Sequence, residues 1–361
     1  MTLFGMGAAT TLIGLLPTYE QIGIAAPILL ILLRILQGFS AGGEWGGAAL
    51  MSVEHAPVNK RGLFGAYPQI GVPIGMLMAT LFMFFLTTTL TPEQFETWGW
   101  RVPFLFSIVL IFVGWIIRRS VDESPVFLEM QQRAKESSAP LGQLFRKNPR
   151  EVLLAALIFA GNNAAGYLVI AFFASYGTKA LGMSRPETLI ASIVGGVGWL
   201  IFTMLGGWMS DRIGRKLTFQ IGYGIIILWA IPMWWMLNTA SLPLFALAIF
   251  ILTMGLGPSY GPQSAMYAEM FPARVRYSGV SIGYALGSII GGAFAPMIAE
   301  LLLGRTGQAW TIGLYIALLS LVSFIAVCFV KKSDQGKDLH VAEVHEEYVR
   351  SHPVSYTHLT L

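Results

Sequence analysis

The amino-acid sequence predicts an all-α polytopic membrane protein, and three observations carry that prediction. Of its 361 residues 55% are hydrophobic and only 12% are charged, where soluble domains carry about 25% charged residues. The apolar residues gather in ten runs, most of them near the roughly 20 residues that an α-helix needs to cross a bilayer. Lysine and arginine fall almost wholly in alternate connections between those runs. Helix rather than strand follows, because hydrocarbon offers the backbone of an open segment no hydrogen-bonding partners outside itself.

The runs lie near 1–16, 26–53, 62–87, 102–117, 152–176, 188–209, 217–237, 242–268, 275–303 and 309–330. Several exceed the bilayer thickness and must tilt or project into water. The 40 glycines and 18 prolines suit close helix approach and kinking in a membrane bundle. The connections after the even-numbered runs, with the start of the tail, hold 17 of the 23 lysines and arginines, and those after the odd-numbered runs hold 4. The first side is therefore cytoplasmic. The net charge of +4 is topological, which excludes a nucleic-acid partner. The single cysteine, Cys328, excludes a disulfide framework, and isolated histidines such as His55 suggest no metal site.

Residues 118–150 form a polar cytoplasmic connection that divides an amino-terminal bundle, 1–117, from a carboxy-terminal one, 151–332, ahead of a polar tail, 333–361. Residues 354–361 resemble translated adaptor read-through and are set aside. At an offset of 215 positions Gly46 pairs with Gly261, Met51 with Met266, Glu54 with Glu269, Pro57 with Pro272 and Arg61 with Arg276. This joins the second run to the eighth in the same orientation, a parallel repeat of six-helix halves. On that repeat the second bundle is a complete half, and the first is four spans with two expected before Met1.

Five strings carry a family resemblance: Arg34-Ile35-Leu36-Gln37-Gly38, Gly42-Gly43-Glu44-Trp45-Gly46-Gly47, Gly99-Trp100-Arg101-Val102-Pro103-Phe104, Asp122-Glu123-Ser124-Pro125-Val126-Phe127 and Asp211-Arg212-Ile213-Gly214-Arg215-Lys216. Together and in this order they resemble the major facilitator superfamily, in its metabolite:proton symporter branch. The resemblance covers nearly everything to about Lys332. It implies two six-helix bundles, here about 10 of 12 spans, with spans two, five and eight around a central cavity.

Arg34 lies about eight residues, ~12 Å, into its run, where an unpartnered guanidinium costs several kcal/mol. It is either an anion-binding or proton-coupling arginine or one that locks the bundle through backbone carbonyls. At 100° per residue Arg34, Gln37 and Glu44 share a broad face. Desolvation there would suit Glu44 to carry a proton, and the alternative is a structural carboxylate at a glycine-rich crossing. Tyr260, Gln263 and Tyr267 fall on one face of span eight, beside Pro258 and Pro262. Asn162, Asn163 and Tyr167 make a similar patch on span five. Both groups could bind substrate or bond helix to helix, and Tyr67, Gln69 and Tyr284 have weaker claims. By resemblance Asp211, Arg215 and Glu269 form a cytoplasmic latch against the start of span three near Gly62. Glu54 is the other half's latch acid, with its Asp and Arg partners missing.

These residues imply a monomeric, proton-coupled importer of a small organic acid in the cell's inner membrane, working by alternating access. The proton is its coupling ion, and no other cofactor is expected. Its partners are a carboxylate substrate and membrane lipid. A zwitterion such as betaine or proline is the alternative cargo. No Ser/His/Asp arrangement or metal-ligand cluster supports an enzyme.

Overall fold

The computed structural model describes residues 2–41, 44–120 and 140–331, with the side chains of residues 2, 3, 41, 44, 117–120, 140, 141, 143, 273 and 274 left aside. Helix is the regular structure throughout these residues. Seven helices among them are long and apolar enough to cross a membrane: Ala25–Glu54, Val58–Thr89, Gly99–Ile116, Pro149–Lys179, Arg185–Ile213, Val275–Thr306 and Trp310–Cys328. They take in seven of the expected spans. The other three are short or broken. The first is Thr2–Leu15, 14 residues. The seventh is Arg215–Trp229 followed by Met233–Leu237, with Pro232 between them. The eighth is Leu242–Leu256 and Gln263–Met270, joined by turns over 257–262. Pro258 and Pro262 account for that break, since each lacks an N–H and crowds the preceding turn.

Local chemistry sets the ends of these helices. The sixth span starts at a capping box, in which the Ser184 hydroxyl accepts the Glu187 N–H while the Glu187 carboxylate accepts the Ser184 N–H at 2.9 Å, satisfying donors that a helix start leaves open. It stops at Gly214, whose φ of 91° lies where a side chain would be strained. Cations close the opposite ends. Arg101 donates to the Gly14 and Leu16 carbonyls at 2.9 and 2.6 Å, Lys216 to that of Cys328 at 2.5 Å, and Arg150 to that of Phe329 at 2.9 Å. The last carbonyls of a helix carry its negative end and favour such partners.

The connection expected over 118–150 is only partly a linker. The fourth-span helix runs Val102–Ser120, and Pro140–Lys147 forms a separate eight-residue helix with Leu144 fully buried. One buried leucine per two turns leaves a polar average, which is why hydropathy passes over it. Residues 121–139, with the Asp122–Phe127 string, and the tail from 332 onward lie outside the described residues.

Packing follows two groups. Span one lies against spans two and four, while span five lies against nine and ten, six against eight, and seven against eight and ten. The groups meet where span three crosses six and eight and where span two crosses eight and nine. Small residues permit the close crossings. Gly283, Gly287 and Gly291 of span nine face Ala155, Ala156 and Ala160 of span five, and a Cβ on Gly291 would lie 2.0 Å from the Ala160 oxygen. Each of these two spans also contains a π turn, Leu168–Phe172 and Ile289–Ala293.

Candidate functional site

The turn at Gly214 ends one helix and starts another at Arg215, so Asp211 and Arg215 face each other one turn apart, with Arg215 Nη1 2.6 Å from Asp211 Oδ1. The Asp211 carboxylate reaches the first turn of the third span. There Oδ1 accepts the Gly62 N–H and Oδ2 the Leu63 N–H, each at 2.8 Å. These N–H groups have no partner inside their own helix and mark its positive end. Arg215 also donates to Ser210 Oγ at 2.9 Å and to Glu269 Oε1 at 3.3 Å. The Asp211, Arg215 and Glu269 side chains are 9%, 6% and 1% exposed. Hydrogen bonds to charged groups contribute about 1.5–3 kcal/mol each, so this junction fixes span three of one half to spans six, seven and eight of the other. Only glycine fits at its centre: a Cβ on Gly62 would lie 2.2 Å from Ser210 Oγ and 2.5 Å from the Gly207 oxygen.

Glu54 meets a cation other than the Asp and Arg partners expected ahead of Met1. Its Oε1 lies 3.7 Å from Arg276 Nη1, with both side chains under a tenth exposed. Arg276 is anchored by donating from Nε to the Ala268 and Phe271 carbonyls at 3.0 and 3.3 Å. The partner comes from the other half, because the two halves meet along their cytoplasmic ends.

A second polar cluster lies about 10 Å deeper along the third span, at Gln69. Its Oε1 accepts Trp45 Nε1–H at 2.7 Å, and its Nε2 donates to the Tyr260 carbonyl at 3.0 Å and to Gln263 Oε1 at 3.1 Å. The Trp45 ring stacks on Tyr284 at 3.9 Å between centroids, and Tyr284 stacks on Phe159 at 4.6 Å. Tyr260, Gln263 and Tyr267, for which the spacing left substrate binding and helix-to-helix bonding open, are all buried. Gln263 bonds Gln69, and the Tyr267 hydroxyl donates to the Ala155 carbonyl. These bonds run from helix to helix. Asn162 does the same: the break after Leu256 frees that carbonyl, and Asn162 Nδ2 donates to it at 2.9 Å and to Ser259 Oγ at 2.7 Å.

Asn163 and Tyr167 are placed differently. Both border Gly292 in the ninth-span π turn, where a Cβ would lie 1.7 Å from Asn163 Oδ1 and 2.6 Å from the Tyr167 ring. Asn163 is 7% exposed, and its Oδ1 has no hydrogen-bond partner among the described residues. Tyr167 is 42% exposed. Arg34 is exposed on the second span, held by one hydrogen bond from Nη1 to Gln37 Oε1 at 3.1 Å. Gln37 in turn donates to Thr10 Oγ1 at 2.6 Å. The Glu44 side chain lies outside the described residues. Tyr67 is exposed and meets Phe64 edge-on. It stands two positions before Gln69, about 200° of helix, which turns it away from the junction.

Residues 1–290 match the Major Facilitator Superfamily. The chain belongs to that superfamily. It is 39% identical over 331 residues to the inner membrane metabolite transport protein YhjE of Escherichia coli K12, covering 90% of this chain and 75% of that one. It is 36% identical over 341 residues to the E. coli K12 shikimate transporter, covering 93% and 78%. A putative proline/betaine transporter of Staphylococcus aureus COL is 31% identical over 339 residues, covering 94% and 73%. The proton:xylose symporter XylE shares the fold at a TM-score of 0.75 and 18% identity, covering 95% of this chain and 82% of that one. The protein is a major facilitator transporter of small molecules, multi-pass in the plasma membrane, and not an enzyme.

Proposed function

We propose that this transporter imports a small organic acid together with a proton, by alternating access between its two halves. The observation that carries the reading is Arg34, a guanidinium in the middle of an apolar helix, whose hydrogen-bond partner among the described residues is Gln37. A guanidinium offers five N–H donors in a planar fork that matches a carboxylate, and one donor accounts for the Gln37 bond. Asn163 Oδ1 and the Tyr167 hydroxyl would then meet hydroxyl groups of the cargo. Glu44 or another acid carries the proton, and the protein acts as a monomer surrounded by lipid. The relative named as a shikimate transporter supports an acid, because shikimate is a carboxylate.

A zwitterionic osmolyte is the second reading, favoured by the relative named for proline and betaine. A thermal-shift screen of organic acids and zwitterions separates the two. Any ligand that binds only the folded state raises Tm by mass action. Stabilisation by acids and not by betaine or proline is expected, and the reverse pattern overturns the acid. Proton coupling is tested by following pH in a lightly buffered suspension of cells that express the protein. Substrate addition should alkalinise the medium, and uptake with no proton movement overturns symport.

A further inference from the structure

The charged junction at Asp211 is not the sole contact closing the cytoplasmic side. Gln69 is fully buried and belongs to one half, yet its amide nitrogen bonds the Tyr260 carbonyl and Gln263 Oε1 of the other. Its oxygen meanwhile holds the Trp45 indole N–H at 2.7 Å. Trp45 lies on the same half as Gln69, and its ring crosses the joint to stack on Tyr284 and to meet Tyr267 edge-on at 6.2 Å. Measured along their helices from the cytoplasmic ends, Gln69, Trp45 and Tyr284 all lie roughly 10–15 Å deep. They form one layer, inside the Asp211 layer, and none of the three side chains carries a charge.

We propose that Gln69 is a positioning residue for transport, fixing the Trp45 ring across the joint so that cytoplasmic closure has an uncharged inner layer beneath the substrate site. The neutral chemistry suits that depth. An ion pair broken at each turnover in the membrane interior exposes unpaired charge, whereas an amide and an indole exchange one neutral partner for another. The geometry also explains why a glutamine is needed: an amide accepts at one atom and donates at the other, as Trp45 on one side and Tyr260 on the other require. Opening toward the cytoplasm must break the Gln69 bonds to Tyr260 and Gln263 and slide the Trp45 ring off Tyr284. This inference rests on the alternating-access reading above.

The test uses Ser264→Cys in a Cys328→Ser background. Ser264 is fully buried on span eight, opposite Gly65, where a Cβ would come within 3.1 Å of the Ser264 Cβ. It becomes reachable from the cytoplasm only when spans three and eight separate. Labelling by a membrane-impermeant maleimide is followed in inside-out vesicles without substrate. Trp45→Phe, which keeps a ring and removes the N–H, and Gln69→Leu, which removes the whole bridge, should each raise the labelling rate at least about fivefold. The double variant should label no faster than Gln69→Leu, because both changes act on one bond.

Faster labelling in both single variants with that non-additivity supports the positioning role. Unchanged labelling in Trp45→Phe, or additive effects in the double variant, overturns it. If Gln69→Leu fails to fold, Trp45→Phe alone decides, and a drop in its Tm without faster labelling marks a purely structural bond and also overturns the proposal. Because labelling needs no substrate, a protein that responds in this way but is stabilised by no acid refutes the acid reading while leaving this inference in place.

Discussion

Arg34 and Arg215 are the same residue type in two surroundings, and the difference between them decides their uses. Arg215 is buried, with Asp211, Glu269 and Ser210 around it, so its directions are spent on holding the protein together. Arg34 bonds Gln37 on its own helix, which uses one of its five donors and leaves the rest of the fork for another partner. Replacing Arg34 by lysine keeps the charge and removes the planar fork. The expected result is at least tenfold weaker binding of the stabilising acid, ~1.4 kcal/mol, with the Tm of the ligand-free protein unchanged. Thermal-shift titration checks both, and affinity within twofold of the parent would reduce Arg34 to a charge or a packing element. Tyr67→Phe provides the contrast. Tyr67 faces away from the junction, and affinity should stay within about twofold in the same titration.

Spans five and nine show what a helix can hide. Their crossing depends on Gly291, where an added methyl group would meet the Ala160 carbonyl. Gly291→Ala should cost roughly 1–3 kcal/mol, as overpacking does, and thermal unfolding should show it as a lower Tm, whereas Gly304→Ala, which meets nothing within 4 Å, should not lower it. The spans themselves were legible in the sequence, because a long apolar run has few other fates, and Pro258 and Pro262 announced the break in the eighth. The π turns were not legible: Leu168-Val169-Ile170-Ala171-Phe172 reads as unbroken apolar helix, and the extra residue in the turn leaves no mark on composition. The polar faces were half legible. Helical spacing placed Tyr260, Gln263 and Tyr267 together, yet a tyrosine that bonds a neighbouring carbonyl and one that bonds a ligand have the same spacing. The bond between Trp45 and Gln69 was hidden because it joins helices on either side of the bend near Pro57, where periodicity no longer relates one residue to another.

Across the whole molecule the two halves are joined on the cytoplasmic side by carboxylates meeting groups of the opposite half: Asp211 with the third-span N–H groups, and Glu54 with Arg276. Asp211→Asn keeps the size, removes the charge that both Arg215 and the helix end favour, and shifts the population toward the cytoplasm-open form. Cysteine labelling from the cytoplasmic side should therefore speed up, and an unchanged rate would exclude a closing role for Asp211. The Asp211 contact has an unequal genetic footprint. In the carboxy-terminal half it consists of side chains, so many single substitutions reach it. In the amino-terminal half it consists of two backbone N–H groups, which are the same whatever side chain residues 62 and 63 carry. Selection for variants with a loosened closure should accordingly return a broad set of changes at Asp211, Arg215 and Glu269. Among changes that act on this contact, the other half should contribute only those that add bulk at Gly62 or delete a donor with proline.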